Sequence, residues 1–214
     1  MANNKQICIL CRGSSMPYAA KYFHDLDKDM IVVNEFNEEL KNDFVARLFE
    51  EKDVVHMVSR DTGLSDLRPE YYKKYNITKA VLNIFEDEYN KRSSMRNLLE
   101  NNGLKTSCLP DTMKPFQKEG GGFPTTGVIS VVYSTVVLGK KDIHIAGMDF
   151  YEKDYYVDIR ANDHQKRKGM VMKNFIEPFM QKFPEVNYTF YTNSSFKSSL
   201  NNVIIVDEQS RSAY

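Results

Sequence analysis

The sequence predicts an α/β protein with a mainly parallel sheet flanked by helices, and three observations carry that reading. Short apolar runs alternate with longer segments of helical periodicity along the chain, the pattern of strand–helix–strand units. The first run, Gln6–Cys11, is apolar almost throughout, which suits a strand buried on both faces. The turn after it, Arg12-Gly13-Ser14-Ser15, leads straight into a helical segment. A strand that enters a helix through a Gly/Ser turn has the general form of a phosphate-cradling crossover, although neither the dinucleotide fingerprint nor a Walker lysine is present.

Ser14 or Ser15 can cap the first helix, which runs to about His24 with Pro17 in its first turn, where a missing N–H is tolerated. Met30–Val33 is the second strand and ends in Asn34-Glu35-Phe36. Asn37–Lys52 reads as a helix with Leu40, Phe44, Leu48 and Phe49 on one stripe. Asp53–Val58 is the third strand. Ser59–Asn76, polar and holding Gly63 and Pro69, reads as loop with a short helix. Thr78–Phe85 is a strand, Asp87–Asn101 a helix stopped at Asn102-Gly103, and Leu104–Leu109 a strand. Pro110–Phe123 carries two prolines and three consecutive glycines and reads as a mobile loop.

Thr125 or Thr126 caps the next helix, Val128–Leu138, which is apolar nearly all round and has Gly139 as its stop. Its valines suit a strand equally well; a length of about three turns decides for helix. Lys141–Gly147 is a strand with Ile143 and Ile145 on one face, and the tyrosine-rich segment 148–163 reads as a lid. His164–Phe183 is a helix with Val171, Phe175, Ile176 and Phe179 inward and a kink or early end at Pro178. Asn187–Tyr191 is an alternating strand, Asn193-Ser194-Ser195 caps a short helical turn, Val203–Val206 is a last strand, and Asp207–Tyr214 frays. No repeat or low-complexity linker interrupts the 214 residues, so a single Rossmann-like domain over 1–214 is expected.

The 29 basic and 29 acidic residues cancel, which removes the overall field that would draw nucleic acid or an anionic membrane. Lys166-Arg167-Lys168 reads as a solvated helix face. The first residues carry no signal-peptide core, and no apolar stretch reaches the roughly 20 residues that span a bilayer. A soluble, cytoplasmic protein without a transmembrane segment is the expectation. The three cysteines, Cys8, Cys11 and Cys108, make no disulfide framework. Cys8 and Cys11 have Cys-x-x-Cys spacing, but residues three apart on a strand face opposite ways, and both read as small buried apolar residues.

The four histidines, His24, His56, His144 and His164, are scattered without metal-ligand spacing. Asp25-Leu26-Asp27 has the Asp-x-Asp form of a metal motif but falls at a helix end, where it reads as a solvated terminus. No metal is expected, and no Gly-x-Ser-x-Gly nucleophile elbow occurs. What remains is a set of turns at strand ends: Gly13-Ser14-Ser15, Asn34, Thr125-Thr126-Gly127 and 148–156. A parallel sheet gathers such turns on one edge. Two offer helix N-termini to an anion, one an amide suited to a base or ribose, and one several phenols. A nucleotide-sugar fits this set better than a dinucleotide. His164, after Asn162-Asp163, has the residue type of a general base near neutral pH; it serves equally as a helix-start residue without catalytic duty. Tyr151, Tyr155 and Tyr156 are suited to steadying a departing phosphate and equally to packing within the loop.

Thr125-Thr126-Gly127-Val128 before an apolar helix, followed by Ile145-Ala146-Gly147-Met148-Asp149-Phe150-Tyr151, resembles the core of the sialyltransferases, most closely the small bacterial enzymes of glycosyltransferase family 42. The opening Cys11-Arg12-Gly13-Ser14-Ser15 resembles that family's nucleotide-binding Gly-Asn-Gly-Pro-Ser, with Cys11 in place of a glycine and Arg12 in place of an asparagine. Asn34-Glu35-Phe36 resembles its Asn-Gln-Phe, whose asparagine contacts the cytidine nucleotide. Thr125–Val128 resembles Thr-Ser-Gly-Val, which holds the donor sugar and its carboxylate. Tyr151 matches a tyrosine that supports the leaving phosphate; the lid is shorter here, so Tyr155 and Tyr156 both stand for the second such tyrosine. His164 with Lys166 resembles His-x-Lys, whose histidine is the catalytic base. Tyr191-Thr192-Asn193-Ser194-Ser195 resembles the family's Cys-Pro-Asn-Ser. A second family asparagine has no counterpart near Val58-Ser59-Arg60, and Phe123 lies near a family arginine that recognises the acceptor.

The resemblance implies a metal-independent, inverting sialyltransferase-like enzyme without a cofactor. Its donor would be CMP-sialic acid or a related CMP-activated acidic sugar, held by Arg12, Gly13, Ser14, Ser15, Asn34, Thr125, Thr126, Gly127 and Asp149. His164 would deprotonate a glycan hydroxyl, and Tyr151 with Tyr155 or Tyr156 would stabilise the departing phosphate. A homo-oligomer is also implied. Two alternatives fit the same residues: a nucleotide-sugar-binding protein of this fold with reduced turnover, and a transferase for another CMP-sugar such as CMP-Kdo.

Overall fold

β1 (Gln6–Leu10) lies inside one eight-stranded sheet in which every strand runs parallel to its neighbours. The structure, a computed structural model, describes residues 6–26, 29–36, 39–59, 69–75, 77–119, 121–152, 155 and 163–207, the side chains of residues 20, 69 and 164 apart. On one side of β1 the chain adds β2 (Asp29–Val33), β3 (Asp53–Val58), β4 (Lys79–Phe85) and β5 (Lys105–Leu109). It then crosses back and adds β6 (Asp142–Ala146), β7 (Asn187–Tyr191) and β8 (Val203–Val206) on the other side, giving the order β5-β4-β3-β2-β1-β6-β7-β8. Leu10 pairs with Val32 of β2 and with Ala146 of β6, so the C-terminal ends of these three strands are level. The direction of building reverses between β1 and β6, and open α/β sheets bind ligands at that reversal. The α/β, Rossmann-like fold with a parallel sheet is therefore as the sequence predicts. Among the described residues, no helix is long and apolar enough to cross a membrane.

Both faces of the sheet are covered, which explains the apolar strands. Ile7, Ile9 and Cys11 enter one core, and Cys8 and Leu10 the other, so the two cysteines do face opposite ways. The first core is roofed by α6 (Thr126–Val136) and α7 (Asp163–Gln181). The second is roofed by α1 (Tyr18–Tyr22), α2 (Asp43–Glu51), α3 (Pro69–Lys74) and α5 (Ser93–Asn101); α4 (Glu86–Tyr89) is a single turn at the end of β4. α6 lies across β1, β2, β3 and β6. Nine of its eleven residues are buried, and each of its fully buried valines contributes about 1.5–3 kcal/mol of apolar burial. The valine-rich stretch is thus a helix, and the left-handed Gly139 (φ 61°) lies three residues beyond its last turn.

Several expectations are corrected. The serines after β1 do not cap α1, whose N-cap is Pro17 with no side-chain bond, because both are bound elsewhere, as described below. The stripe 40/44/48 fails at Phe44, which is 60% exposed. A 3-10 turn at Glu39–Lys41 and a fresh cap at Asn42 reset the helix, so Val45, Leu48 and Phe49 face inward. The helix expected over 87–101 is broken at Asn90–Arg92: α4 buries nothing, and α5 begins where Met95 and Leu99 reach the core. The segment expected as a loop after Pro110 contains a 3-10 stretch, Asp111–Phe116, anchored by the fully buried Met113. In α7, Met172 takes the inward place expected of Val171, since 172/175/176/179 is the stripe that meets the sheet. Pro178 does not end the helix early; α7 continues to Gln181. Asn193–Ser195 forms bends, not a helical turn, because its polar groups bond to β6-side residues.

Candidate functional site

The turns after β1, β2 and β6 and the first turn of α6 wall a cleft at the C-terminal edge of the sheet. The cleft stands at the reversal of strand order. Backbone bonds build it: the Cys11 N–H donates to the Ala146 carbonyl and the Gly13 N–H to the Gly147 carbonyl, both at 2.8 Å. This approach leaves no room for a side chain. A Cβ on Gly13 would sit 2.6 Å from the Gly147 oxygen, and one on Gly147, whose φ is 74°, would fall on the Cys11 carbonyl.

Asp149 locks the same junction from behind. Its Oδ2 accepts from the Ser15 N–H (2.8 Å) and the Ser14 hydroxyl (3.0 Å). Its Oδ1 accepts from the Thr192 hydroxyl (2.8 Å), the Asn193 N–H (3.2 Å) and the Ser15 hydroxyl. One buried carboxylate thus ties the ends of β1, β6 and β7 together. Ser15 is wholly buried. Neither serine lines the cleft; both face Asp149.

Asn34 stands on the β2 side of the cleft in the left-handed region, with φ 59°, a conformation that asparagine tolerates better than most residues. β3 holds it there. Its N–H donates to the Met57 carbonyl at 3.0 Å, and its carbonyl lies 2.5 Å from Nε2 of His56. Its side-chain Oδ1 is buried without a hydrogen-bond partner. Native proteins leave few such groups, and those that occur ask for an explanation.

Arg12 is the one cation lining the cleft among the described residues. It is already engaged, by Oε1 of the fully buried Glu39 at 2.5 Å from its Nε and by Glu35 at 3.1 Å from its Nη1. The other Glu39 oxygen has no partner. The guanidinium also lies 6.0 Å from the centre of the Tyr155 ring, and Tyr155 forms an antiparallel bridge with Gly13. The Tyr155 hydroxyl accepts from the Gln165 amide of α7 at 3.0 Å and shares a hydrogen bond with the Tyr151 phenol. Phe150 and Tyr151 are both left-handed, at φ 52° and 55°, and two such non-glycine residues in succession mark a strained turn. The Phe150 ring, packed 4.7 Å from Phe196, anchors it. Burial, then the neighbouring Tyr155, pushes the Tyr151 phenol well above its ordinary range, so it is a hydrogen-bond donor at neutral pH. Burial also pushes the Cys11 thiol up, with the Asp149 charge adding to it, and makes Cys11 an inert wall.

Thr125 caps α6, its Oγ1 accepting from the Val128 N–H at 3.4 Å. Thr126 and Gly127 line the cleft beside it, where the first N–H groups of a helix have no intrahelical acceptor. An open trough continues from the cleft, sharing Asn34, Thr125, Thr126 and Tyr151. Beyond them it is lined by the amides of Asn83 and Gln117, the ammonium groups of Lys118 and Lys168, and the rings of Phe85 and Phe123.

The sheet therefore brings Arg12, Gly13, Asn34 and Asp149 into one cleft with Thr125–Gly127, Tyr151 and Tyr155. His164 is the second residue of α7; its side chain, together with Tyr156 and lid residues 153, 154 and 157–162, lies outside the described residues. Three groups at the site escape a motif search. Glu35 and Glu39 announce themselves only as acids following Asn34. His56 sits in the apolar run Val54–Val58, and a lone imidazole in such a strand must find partners. No protein-family profile matches the chain, and no curated protein is found to be similar to it.

Proposed function

We propose that the protein is a metal-independent, inverting glycosyltransferase that moves sialic acid or a related acidic sugar from a CMP-activated donor to a glycan hydroxyl. The observation that carries the reading is Asn34: a strained residue presenting a buried, unpartnered amide oxygen beside the N-terminus of an apolar helix. An acceptor so placed suits the exocyclic amine of a cytosine base. In this reading the first N–H groups of α6 seat the sugar carboxylate, and the trough with its amides, lysines and rings receives the acceptor glycan.

The acceptor oxygen attacks the anomeric carbon as the bond from that carbon to the phosphate oxygen breaks. The hydroxyl proton passes to His164, and the electron pair of the broken bond leaves on CMP. Tyr151 and Tyr155, neighbouring phenols that share a hydrogen bond, donate to the departing phosphate in this reading and lower the cost of charge separation. Asp149 takes the part of a brace, since each of its oxygens is already bonded to protein donors.

Calorimetric titration with CMP, UMP, GDP and NAD tests the donor class. CMP is expected to bind and NAD not; tight NAD binding without CMP binding overturns the reading. His164→Ala is expected to abolish transfer while CMP affinity stays within about twofold, and unchanged turnover removes His164 from the mechanism.

One observation favours a second reading, a nucleotide-sugar-binding protein with reduced turnover. Arg12, which stands at the phosphate turn, has its charge taken up by Glu35 and Glu39. Release of CMP from CMP-sialic acid and from CMP-Kdo, followed with and without glycan acceptors, separates the binder from either transferase.

A further inference from the structure

We propose that His56 is the positioning residue of this seat: its imidazole, oriented by the Tyr72 hydroxyl, holds the left-handed turn at Asn34 from which the unpartnered amide oxygen meets the ligand. The inference rests on the nucleotide reading for the identity of the ligand, and on hydrogen-bond geometry alone for the positioning.

β3 runs beside β2 with His56 opposite Val32, which brings the imidazole level with the chain as it leaves β2. Both main-chain polar groups of Asn34 are taken by successive residues of β3, the carbonyl by His56 and the N–H by Met57. A carbonyl only accepts, so Nε2 of His56 carries the hydrogen. Nδ1 then offers a lone pair, and the Tyr72 hydroxyl of α3 donates to it at 3.1 Å. Each ring nitrogen therefore has one role, and the tautomer is fixed by what the other nitrogen bonds. His56 is 5% exposed. Burial pushes its pKa below the ordinary value, against the opposing influence of the Asn34 carbonyl and the Glu35 carboxylate, and keeps the ring neutral.

The consequence falls on the side chain of Asn34. Because β3 bonds both main-chain groups of Asn34, the amide is not needed to hold its own backbone. That is the usual use of an asparagine in this conformation. Its oxygen is left for a partner from the cleft.

The test compares CMP affinity with thermal stability in the full chain for His56→Ala, His56→Gln and Tyr72→Phe. His56→Ala is expected to weaken CMP binding about tenfold, the order of one lost hydrogen bond. His56→Gln, whose amide N–H can reach the same carbonyl, is expected to recover most of that loss, although both variants melt at lower temperature. Tyr72→Phe is expected to show a smaller loss. Unchanged affinity in His56→Ala, or equal weakness in the alanine and glutamine variants, overturns the inference. If the wild type binds no CMP, the nucleotide reading fails on its own, and NMR decides the positioning. An Nε2–H tautomer at His56, with a left-handed amide–α-proton coupling at Asn34 that is lost in His56→Ala, upholds it. An Nδ1–H tautomer, or a left-handed Asn34 that persists in the variant, overturns it.

Discussion

Asp149 and Asn34 occupy matching places on the same sheet edge, one after β6 and the other after β2, and their oxygens meet opposite fates. Every oxygen of Asp149 is bonded by protein donors drawn from the ends of β1 and β7. The amide oxygen of Asn34 has none, and neither does one oxygen of Glu39, the partner of Arg12. A polar residue at a strand end is thus not a ligand contact by virtue of its place. A group whose bonding capacity is used up holds the frame, and a group left short waits for something to arrive. On the proposed reading Asp149 belongs to the frame and Asn34 to the seat.

Substitutions can break this contrast. Asp149→Ala leaves the donors at both neighbouring strand ends without an acceptor and is expected to lower unfolding free energy by about 3 kcal/mol or more, since hydrogen bonds to a charged group are worth roughly 1.5–3 kcal/mol each. Urea denaturation measures it. Asn34→Ala removes a group that holds nothing. It is expected to cost about 1 kcal/mol or less of stability, through the left-handed backbone, yet to weaken CMP binding about tenfold; a stability loss as large as that of Asp149→Ala would erase the distinction.

Glu39→Gln sharpens the comparison on the seat side. It removes a buried negative charge and leaves Arg12 paired with Glu35 alone. A few-fold gain in CMP affinity is expected, read by calorimetry, because the freed guanidinium meets the phosphate. The smallest effect is that of pH. His56 and His144 are both held below their ordinary value of 6.5, first by burial. The unfolded chain therefore takes up protons that the folded one refuses. Thermal stability is expected to be full above about pH 6.5 and to fall as pH drops from there toward the depressed folded values. His56→Gln should flatten part of that slope.

The fold was legible because its signal is redundant. Continuous apolar strands, helical stripes and strand-end turns all point to a parallel sheet, and β3 and β7 fall where the pattern puts them. The gathering of Arg12, Asn34, Thr126 and Tyr151 in one cleft was legible for the same reason, since topology alone brings those turns to one edge. Partnership was not legible. Ser14 and Ser15 look like helix caps until Asp149, distant in the chain, is found to claim them. Phe44 and Val171 were misplaced because a helix stripe has no fixed phase until its start is known, and the start of α2 is set by the cap that the Asn42 side chain makes. His56 gave no signal of a role, because its partners come from a turn on one strand and a helix that follows its own.

The brace at Asp149 also sets an order of assembly. During synthesis the turn after β1 emerges early, and the carboxylate that fixes it follows 134 residues later. Thr192 and Asn193, which hold that carboxylate from its far side, follow later still. Until β6 and β7 are in place, the turn after β1 has its local backbone bonds but lacks the carboxylate that ties it to the sheet edge. On the proposed reading, affinity for the nucleotide arrives only after β7 has joined the sheet.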